Sequence, residues 1–264
     1  MEDFEHGTAQ PGQGGEPLRR GLGGLRRRGI YLLPNLFTTA ALFFGFFAIV
    51  QAMNGYFERA AIAIFVAMVL DGLDGRVARL THTTSEFGAQ YDSLSDMVSF
   101  GAAPALVMYE WALKDMGRMG WIAAFVYCAG AALRLARFNV NIDVVDKRFF
   151  QGIPSPAAAA FVAGLVWVFD DLGIDREFWL QIIAWAFTMY AGITMVSNVP
   201  FYSFKEINMK RAVPFWVVAV FAAALGVISL KPSVVLFLLV FGYGVHGYVL
   251  WGMGMRVRKL PEYP

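Results

Sequence analysis

The sequence predicts an all-α fold: a polytopic membrane helical bundle of about eight transmembrane helices, with six or seven as alternatives. Of its 264 residues, 58% are hydrophobic and only 16% are charged, and the mean hydropathy is +0.53. A soluble domain has about 45–50% apolar and about 25% charged residues. The apolar residues also occur in runs near the length of about 20 that a helix needs to cross the hydrocarbon core. The chain is therefore predicted to be an integral membrane protein.

The predicted spans follow one another with short connections. They lie near residues 34–53, 59–79, 93–113, 120–138, 156–170, 179–196, 212–229 and 232–253. The fifth is short and rich in alanine, and little more than Lys231-Pro232 separates the last two. These two features leave the lower span counts open.

The segments outside the spans differ in composition. Residues 1–17 are rich in Gly, Pro, Gln and Glu, which predicts a disordered tail. Residues 18–33 form a basic juxtamembrane segment with five arginines. It is either an interfacial helix on anionic headgroups or a plain positive flank, and its glycines argue against a firm helix. Residues 34–255 form the transmembrane domain, and residues 256–264 a C-terminal tail.

The basic residues predict the orientation, because lysine and arginine concentrate in cytoplasmic loops. With the N-terminus inside, most of the 22 lysines and arginines face the cytoplasm. The five that do not are Arg59, Lys114, Arg118, Arg176 and Lys231. We therefore expect a multi-pass protein of the cell (inner) membrane, with both termini and the link between the second and third spans in the cytoplasm.

Four aspartates at the ends of the second and third spans follow the spacing D-x2-D-G-x2-A-R-x8-G-x3-D-x3-D. They are Asp71, Asp74, Asp92 and Asp96. A charged side chain deep in a bilayer costs roughly 2.5–3.5 kcal/mol on insertion scales. Four such carboxylates need a reason to be there, and binding of a divalent cation is the simplest.

The spacing places each pair of aspartates on one helix face. Asp71 and Asp74 are three residues apart, and Asp92 and Asp96 are four apart, so each pair shares a face. Two antiparallel helices joined by a polar link would bring the pairs together. Hard cations such as Mg²⁺ or Mn²⁺ prefer these oxygen ligands, and two metals about 3.5–4 Å apart can clamp a phosphoryl displacement.

Small residues and one arginine accompany the aspartates. Gly75, Ala78 and Gly88 remove side-chain bulk, so that a large group can lie close to the helices. Arg79 supplies a planar, permanently charged donor for a phosphate. Together with the aspartates, these residues indicate a site for a pyrophosphate-bearing nucleotide beside a metal centre.

The complete spacing resembles the signature of the CDP-alcohol phosphotransferases, membrane enzymes that transfer a phosphatidyl group from CDP-diacylglycerol to an alcohol. The resemblance implies two ions of Mg²⁺ or Mn²⁺ and a homodimer. It implies Asp71, Asp74 and Asp92 as metal ligands, with Asp96 as both a ligand of the second metal and the catalytic base. It implies further that the nucleotide is bound by Gly75, Ala78, Arg79 and Gly88.

Three further runs are similar to the serine-accepting branch of this family. They are DSLSDMVSFGAAPA at 92–105, RLARFNVN at 134–141 and FFQGIPSPAAAA at 149–160. This resemblance implies transfer to the hydroxyl of L-serine, giving phosphatidylserine and CMP. Arg134 and Arg137 could hold a carboxylate or the lipid phosphate, and Asn139 could add neutral hydrogen bonds. Alternatively, the two arginines are a positive flank whose side chains extend to the headgroups.

Other functions stay open at this point. The same group could pass to glycerol phosphate, inositol phosphate or choline, and intramembrane carboxylates also serve cation- or proton-coupled transporters. We expect direct displacement, because no motif singles out Ser93, Ser95 or Ser99 as a nucleophile. The expected partners are CDP-diacylglycerol, L-serine, membrane lipids and a second copy of the chain, with no nucleic acid.

Overall fold

The computed structural model describes residues 18–81, 85–140, 149–203 and 215–255, and it confirms the all-α fold class. The helices within these ranges are α1 (Leu18–Met53), α2 (Phe57–Thr81), α3 (Glu86–Asp96), α4 (Ala103–Met108), α5 (Arg118–Val140), α6 (Ser155–Asp171), α7 (Phe178–Val196), α8 (Phe215–Leu230) and α9 (Pro232–Gly252). Two π-helical segments, Met97–Ala102 and Tyr109–Leu113, flank α4, and a 3₁₀ turn spans Lys114–Met116. The third predicted span is thus a chain of α- and π-helical pieces.

Four of the described helical stretches are long and apolar enough to cross a membrane. They are Asn35–Met53, Arg118–Val140, Phe178–Val196 and Pro232–Gly252. A multi-pass membrane protein is therefore supported by length and composition. Each of the other predicted spans also coincides with helical structure, but the number of crossings beyond these four stays a prediction.

The basic segment at residues 18–33 is helical in its backbone. Its glycines argued against a firm helix, yet α1 runs without a break from Leu18 to Met53. The segment is thus an N-terminal extension of the first span, and its contact with headgroups stays a prediction. The predicted tails, residues 1–17 and 256–264, lie outside the described residues.

Helix α6 lies at the centre of the bundle, where α2, α4, α7 and α9 pack around it. Its alanines Ala158, Ala159 and Ala160 are at most 1% exposed. Membrane helices associate largely through van der Waals packing, because the lipid tails are as apolar as the helix surfaces. Small residues strengthen this packing by letting the helices approach closely. The alanine-rich composition of this short helix is thus explained by its central position.

Helix α1 packs along α2 and also against α3 and the π-helical segment that follows α3. A Cβ on Gly45 would lie 2.6 Å from Ser99 Oγ, so the two backbones meet there without room for a side chain. The hydroxyls of Ser95 and Ser99 donate to the carbonyl oxygens of Thr38 and Ala41, each at 3.1 Å. These contacts fix α3 against α1.

A short antiparallel strand pair joins the region before α6 to the region after α7. The strands are β1 (Phe149–Gln151) and β2 (Pro200–Tyr202), with Phe150 opposite Phe201. Gly152 follows β1 at φ +76°, and a Cβ there would lie 2.5 Å from the Met195 carbonyl oxygen. The sequence did not predict this pair, which sets the path of the chain into α6.

Candidate active site

The four aspartates converge as their spacing predicts. Asp71 and Asp74 lie on α2, and Asp92 and Asp96 lie on α3. One carboxylate oxygen from each of Asp71, Asp74 and Asp92 lies within 4.8 Å of the other two. The carboxyl groups of Asp71 and Asp96 are within hydrogen-bonding distance of each other. All four residues therefore form one cluster, which we call the aspartate cluster.

The aspartate cluster fits a hard divalent cation. The Oδ1 atom of Asp92 is buried and has no hydrogen-bond partner among the described residues. A buried polar atom without a partner is costly, and crowded carboxylates repel one another unless a proton or a cation lies between them. Oxygen ligands at this spacing suit Mg²⁺ or Mn²⁺. The cluster could thus hold a metal through Asp71, Asp74 and Asp92.

Helix α1 supplies a second layer around the cluster. Thr38 Oγ1 donates to Asp74 Oδ2 at 2.8 Å, and both residues are buried. A hydrogen bond of this kind fixes the orientation of a carboxylate and leaves its other oxygen to face a ligand. The carbonyl oxygen of Thr38 also accepts a hydrogen bond from the hydroxyl of Ser95, which lies between Asp92 and Asp96 on α3. Thr38 therefore contacts both helices that carry the aspartates.

A cleft of about 240 Å³ opens beside the aspartate cluster, and we call it the nucleotide cleft. It contains all four residues that the signature assigns to the nucleotide, together with two of the aspartates. Its lining consists of Asn35, Thr38, Asp74, Gly75, Ala78, Arg79, Ser85, Gly88, Ala89 and Asp92. The structure thus brings these residues together, and their contact with CDP stays a prediction.

The two signature glycines in the nucleotide cleft, Gly75 and Gly88, have different surroundings. A Cβ on Gly75 would meet no protein atom within 4 Å, so packing does not require glycine there. A Cβ on Gly88 would lie 3.1 Å from Ser85 Oγ and 3.5 Å from Asn35 Oδ1. Ser85 also caps α3, since its hydroxyl accepts from the Gly88 amide at 3.0 Å. The open space at Gly75 is therefore available to a ligand.

The two predicted acceptor arginines have different environments. Arg134 is 8% exposed, donates through Nη1 to Ser155 Oγ, and interacts electrostatically with Asp96 and Asp71. Arg137 instead donates to the backbone carbonyls of residues 151, 195, 196 and 197, at 2.6 to 3.2 Å. Arg137 thus ties β1 to the end of α7, and its guanidinium is occupied by protein groups.

Asn139 and the candidate nucleophiles also have defined contacts. Asn139 Nδ2 donates to Ser93 Oγ at 3.0 Å, which places it beside α3. Ser95 and Ser99 are buried and bound to carbonyl oxygens of α1, as described above. Their hydroxyls act in helix packing, and this is consistent with direct displacement.

Sequence reasoning missed Asn35, Thr38 and Ser155. Asn35 and Thr38 are polar residues within the first apolar span, one helical turn apart, and polar residues inside a membrane span usually mark a functional site. That signal could have identified both. Ser155 carried no comparable signal, because sequence spacing does not reveal its hydrogen bond with Arg134.

Fold and site together define a multi-pass membrane protein with an acidic, metal-competent centre beside a cleft of about 240 Å³. The family model described as CDP-alcohol phosphatidyltransferase matches residues 31–190, which include the aspartate cluster and the nucleotide cleft. The chain belongs to the CDP-alcohol phosphatidyltransferase family.

Relatives of this chain carry a more specific name. A protein of Helicobacter pylori (strain ATCC 700392 / 26695) is 36% identical over 222 residues, covering 84% of this chain and 92% of the relative. A protein of Mycobacterium tuberculosis (strain ATCC 25618 / H37Rv) is 32% identical, and the match covers 83% of this chain and 79% of the relative. A protein of Saccharomyces cerevisiae is 36% identical, and the match covers 51% of this chain and 56% of the relative. All three are named CDP-diacylglycerol–serine O-phosphatidyltransferase.

Proposed function

We propose that this chain transfers the phosphatidyl group of CDP-diacylglycerol to the hydroxyl of L-serine, giving phosphatidylserine and CMP. The observation that carries the proposal is the aspartate cluster bordering a cleft lined by Gly75, Ala78, Arg79 and Gly88. The names of the relatives support serine as the acceptor. Glycerol phosphate, inositol phosphate and choline are the alternative acceptors.

In this proposal the nucleotide cleft binds the CDP moiety. The cytidine and ribose lie against the small residues Gly75, Ala78 and Gly88, and the Arg79 guanidinium faces a phosphate. The two acyl chains stay in the bilayer. The reacting phosphorus then lies beside Asp74 and Asp92, the two aspartates that line the cleft.

The chemical step is a direct displacement. Asp96 accepts the proton of the serine hydroxyl, and the serine oxygen forms a bond to the phosphorus that carries diacylglycerol. The bond between that phosphorus and the bridging oxygen of CMP breaks, and CMP leaves with the electron pair. Asp71, Asp74, Asp92 and Asp96 would hold two Mg²⁺ or Mn²⁺ ions. When bound, these ions neutralise charge on the pyrophosphate oxygens and the leaving group.

The setting of the enzyme is part of the proposal. We place the protein in the cell (inner) membrane, and the distribution of basic residues supports an orientation with the site and both termini on the cytoplasmic side. A water-soluble acceptor and a membrane-embedded donor can meet there. A homodimer, implied by the family resemblance, stays a prediction.

Release of CMP tests the proposal. Detergent-solubilised protein is incubated with CDP-diacylglycerol, Mg²⁺ or Mn²⁺, and L-serine, with glycerol phosphate, inositol phosphate and choline in parallel reactions. Of the four acceptors, we expect only serine to release CMP, and phosphatidylserine should form at the same time. Release with another alcohol and none with serine would refute serine as the acceptor and leave the family assignment intact.

The substitution Asp96→Asn separates the enzyme from a cation- or proton-coupled transporter. It preserves the size of the side chain and removes the base, so we expect transfer to fall by about 10²–10⁴-fold, the usual contribution of general acid–base catalysis. Retained thermal stability in detergent is the control. Full transfer activity in this variant would exclude Asp96 as the base.

A further inference from the structure

The chain changes from an α-helix to a π-helix directly after Asp96, the proposed base. Helix α3 ends at Asp96, and the π-helix spans Met97–Ala102, which we call the π segment. The Ala103 amide donates to the carbonyl oxygen of Val98, five residues earlier, as expected for a π-helix. Such turns are rare, and they occur frequently at functional sites. This one sets the direction in which the chain leaves Asp96.

The π segment sets the angle between Asp96 and the buried helix α4. Residues of an α-helix are spaced by about 100° around its axis. A π-helical turn closes its hydrogen bonds over one residue more, so it rotates the residues before it by about that angle relative to those after it. Ala103 and Val107 of α4 are at most 1% exposed, so α4 is fixed in the core. Conversion of the π segment to an α-helix would therefore turn Asp96 out of its present position.

Pro104 disfavours an ordinary α-helix at this place. In an α-helix the carbonyl oxygen of Phe100 would accept a hydrogen bond from the amide of residue 104. Proline has no amide hydrogen, so this bond cannot form. Phe100 is also fully buried, and a buried carbonyl group without a partner is costly. The donor for this carbonyl oxygen therefore has to come from elsewhere.

Tyr127 on α5 provides a donor for this carbonyl oxygen. Its hydroxyl donates to the Phe100 carbonyl oxygen at 3.0 Å, and both residues are fully buried. A Cβ on Gly192 would lie 2.8 Å from Tyr127 Cα, so the backbone of α7 packs directly against Tyr127 and fixes its place. The neighbouring hydroxyl of Ser99 donates to the Ala41 carbonyl oxygen on α1. The π segment is thus held from α5 and from α1.

We infer that Tyr127 is a positioning residue for Asp96. Its hydroxyl holds the π segment, and the π segment directs the Asp96 carboxyl group toward Asp71 and the rest of the aspartate cluster. The inference rests on the proposed function, in which Asp96 takes the proton of the acceptor hydroxyl. A general base must lie within hydrogen-bonding reach of that proton. Tyr127 is fully buried, and it acts through Asp96.

Tyr127→Phe is the test variant, and Tyr190→Phe is its matched control. Each substitution removes a tyrosine hydroxyl and keeps the ring. Tyr190 also donates to a helix carbonyl oxygen, that of Gly244 at 2.8 Å, but this bond joins α7 to α9. The unsubstituted full chain and both variants are purified in detergent. The kcat and the KM values for L-serine and CDP-diacylglycerol are measured for each protein with Mg²⁺ or Mn²⁺.

We expect Tyr127→Phe to lower kcat about 10-fold to 100-fold, because misplacing a catalytic group by about 1 Å can cost about 10²-fold. Its KM for CDP-diacylglycerol should stay within about twofold, since the described residues that line the nucleotide cleft all lie outside the π segment. Tyr190→Phe should keep kcat within about twofold of the unsubstituted protein. Equal kcat values in the two variants would overturn the inference, as would a raised KM for CDP-diacylglycerol with an unchanged kcat.

A double substitution tests whether Tyr127 acts through Asp96. A protein that carries Asp96→Asn has no base left to position. Adding Tyr127→Phe to it should lower the residual kcat by less than about twofold, because residues that act as a unit give non-additive effects. The same 10-fold to 100-fold loss with and without Asp96→Asn would contradict the inference, since it would show an effect on the fold as a whole.

Amide hydrogen exchange measures the π segment independently of turnover, because it reports local opening of the backbone. Tyr127→Phe should speed exchange of the amides of residues 97–103 at least severalfold and leave those of α2 unchanged. Tyr190→Phe should leave both regions unchanged. Unchanged exchange of residues 97–103 in Tyr127→Phe would refute the hold of this hydroxyl on the π segment. If the unsubstituted protein releases no CMP with serine, the proposed function fails, whereas the exchange result still decides whether Tyr127 holds the π segment.

Discussion

Replacing Gly75 by alanine separates ligand binding from folding at the nucleotide cleft. A Cβ on Gly75 would meet no protein atom within 4 Å, so the methyl group fits the protein without strain. In a helix interior alanine is more stable than glycine by about 0.8–1 kcal/mol. The variant should therefore be at least as stable as the unsubstituted protein. The methyl group would enter a cleft of only about 240 Å³. Overpacking costs about 1–3 kcal/mol, so affinity for CDP-diacylglycerol should fall by about 5-fold to 150-fold.

Gly72→Ala is the matched control for this substitution. Gly72 lies on the same helix, its added Cβ would also meet nothing within 4 Å, and it does not line the nucleotide cleft. Both variants should unfold at or above the temperature of the unsubstituted protein. Only Gly75→Ala should raise the KM for CDP-diacylglycerol and the inhibition constant for CDP. Equal kinetics in the two variants would refute the placement of the nucleotide against Gly75.

Three further predictions concern the metal, its support and the packing. Thr38→Val removes the hydrogen bond to Asp74, and we expect metal affinity, measured by titrating Mn²⁺ against CMP release, to fall about 10–100-fold; an unchanged titration would contradict the support role. Chelation of divalent ions should abolish CMP release, and added Mg²⁺ or Mn²⁺ should restore it, whereas full activity after chelation would exclude the metal. A Cβ on Gly130 would lie 2.4 Å from the Gly192 carbonyl oxygen, so Gly130→Ala should destabilise the protein by about 1–3 kcal/mol. Gly226→Ala, where the added Cβ would meet nothing within 4 Å, is the control, and equal unfolding temperatures would refute that packing argument.

The sequence predicted the helices and the convergence of the aspartates because both depend on local spacing. Long apolar runs define membrane helices, and residues three or four apart share a face. The nucleotide cleft followed from the same spacing, since Gly75, Ala78 and Arg79 occupy the turn next to Asp74. These features needed no knowledge of how distant helices pack.

Features that depend on contacts between distant segments could not be predicted in this way. The two strands have three residues each, and Pro200 begins the second, so they carry no alternating pattern. Arg137 was expected near the acceptor because it follows Arg134 by one turn. Its guanidinium group instead donates to carbonyl oxygens at the end of α7, about 60 residues further along the chain. Spacing places a side chain on a helix face and does not identify what packs against it.

The role of α1 shows what the tertiary structure adds to the signature. The signature covers only α2 and α3, yet Thr38 on α1 donates to Asp74 through its side chain and accepts from Ser95 through its carbonyl oxygen. A shift of α1 would therefore move the Asp74 carboxylate on α2 and displace α3 at Ser95, the neighbour of Asp96. Since metal ligands must be held within a few tenths of an ångström, the aspartate cluster is a three-helix site whose geometry depends on α1.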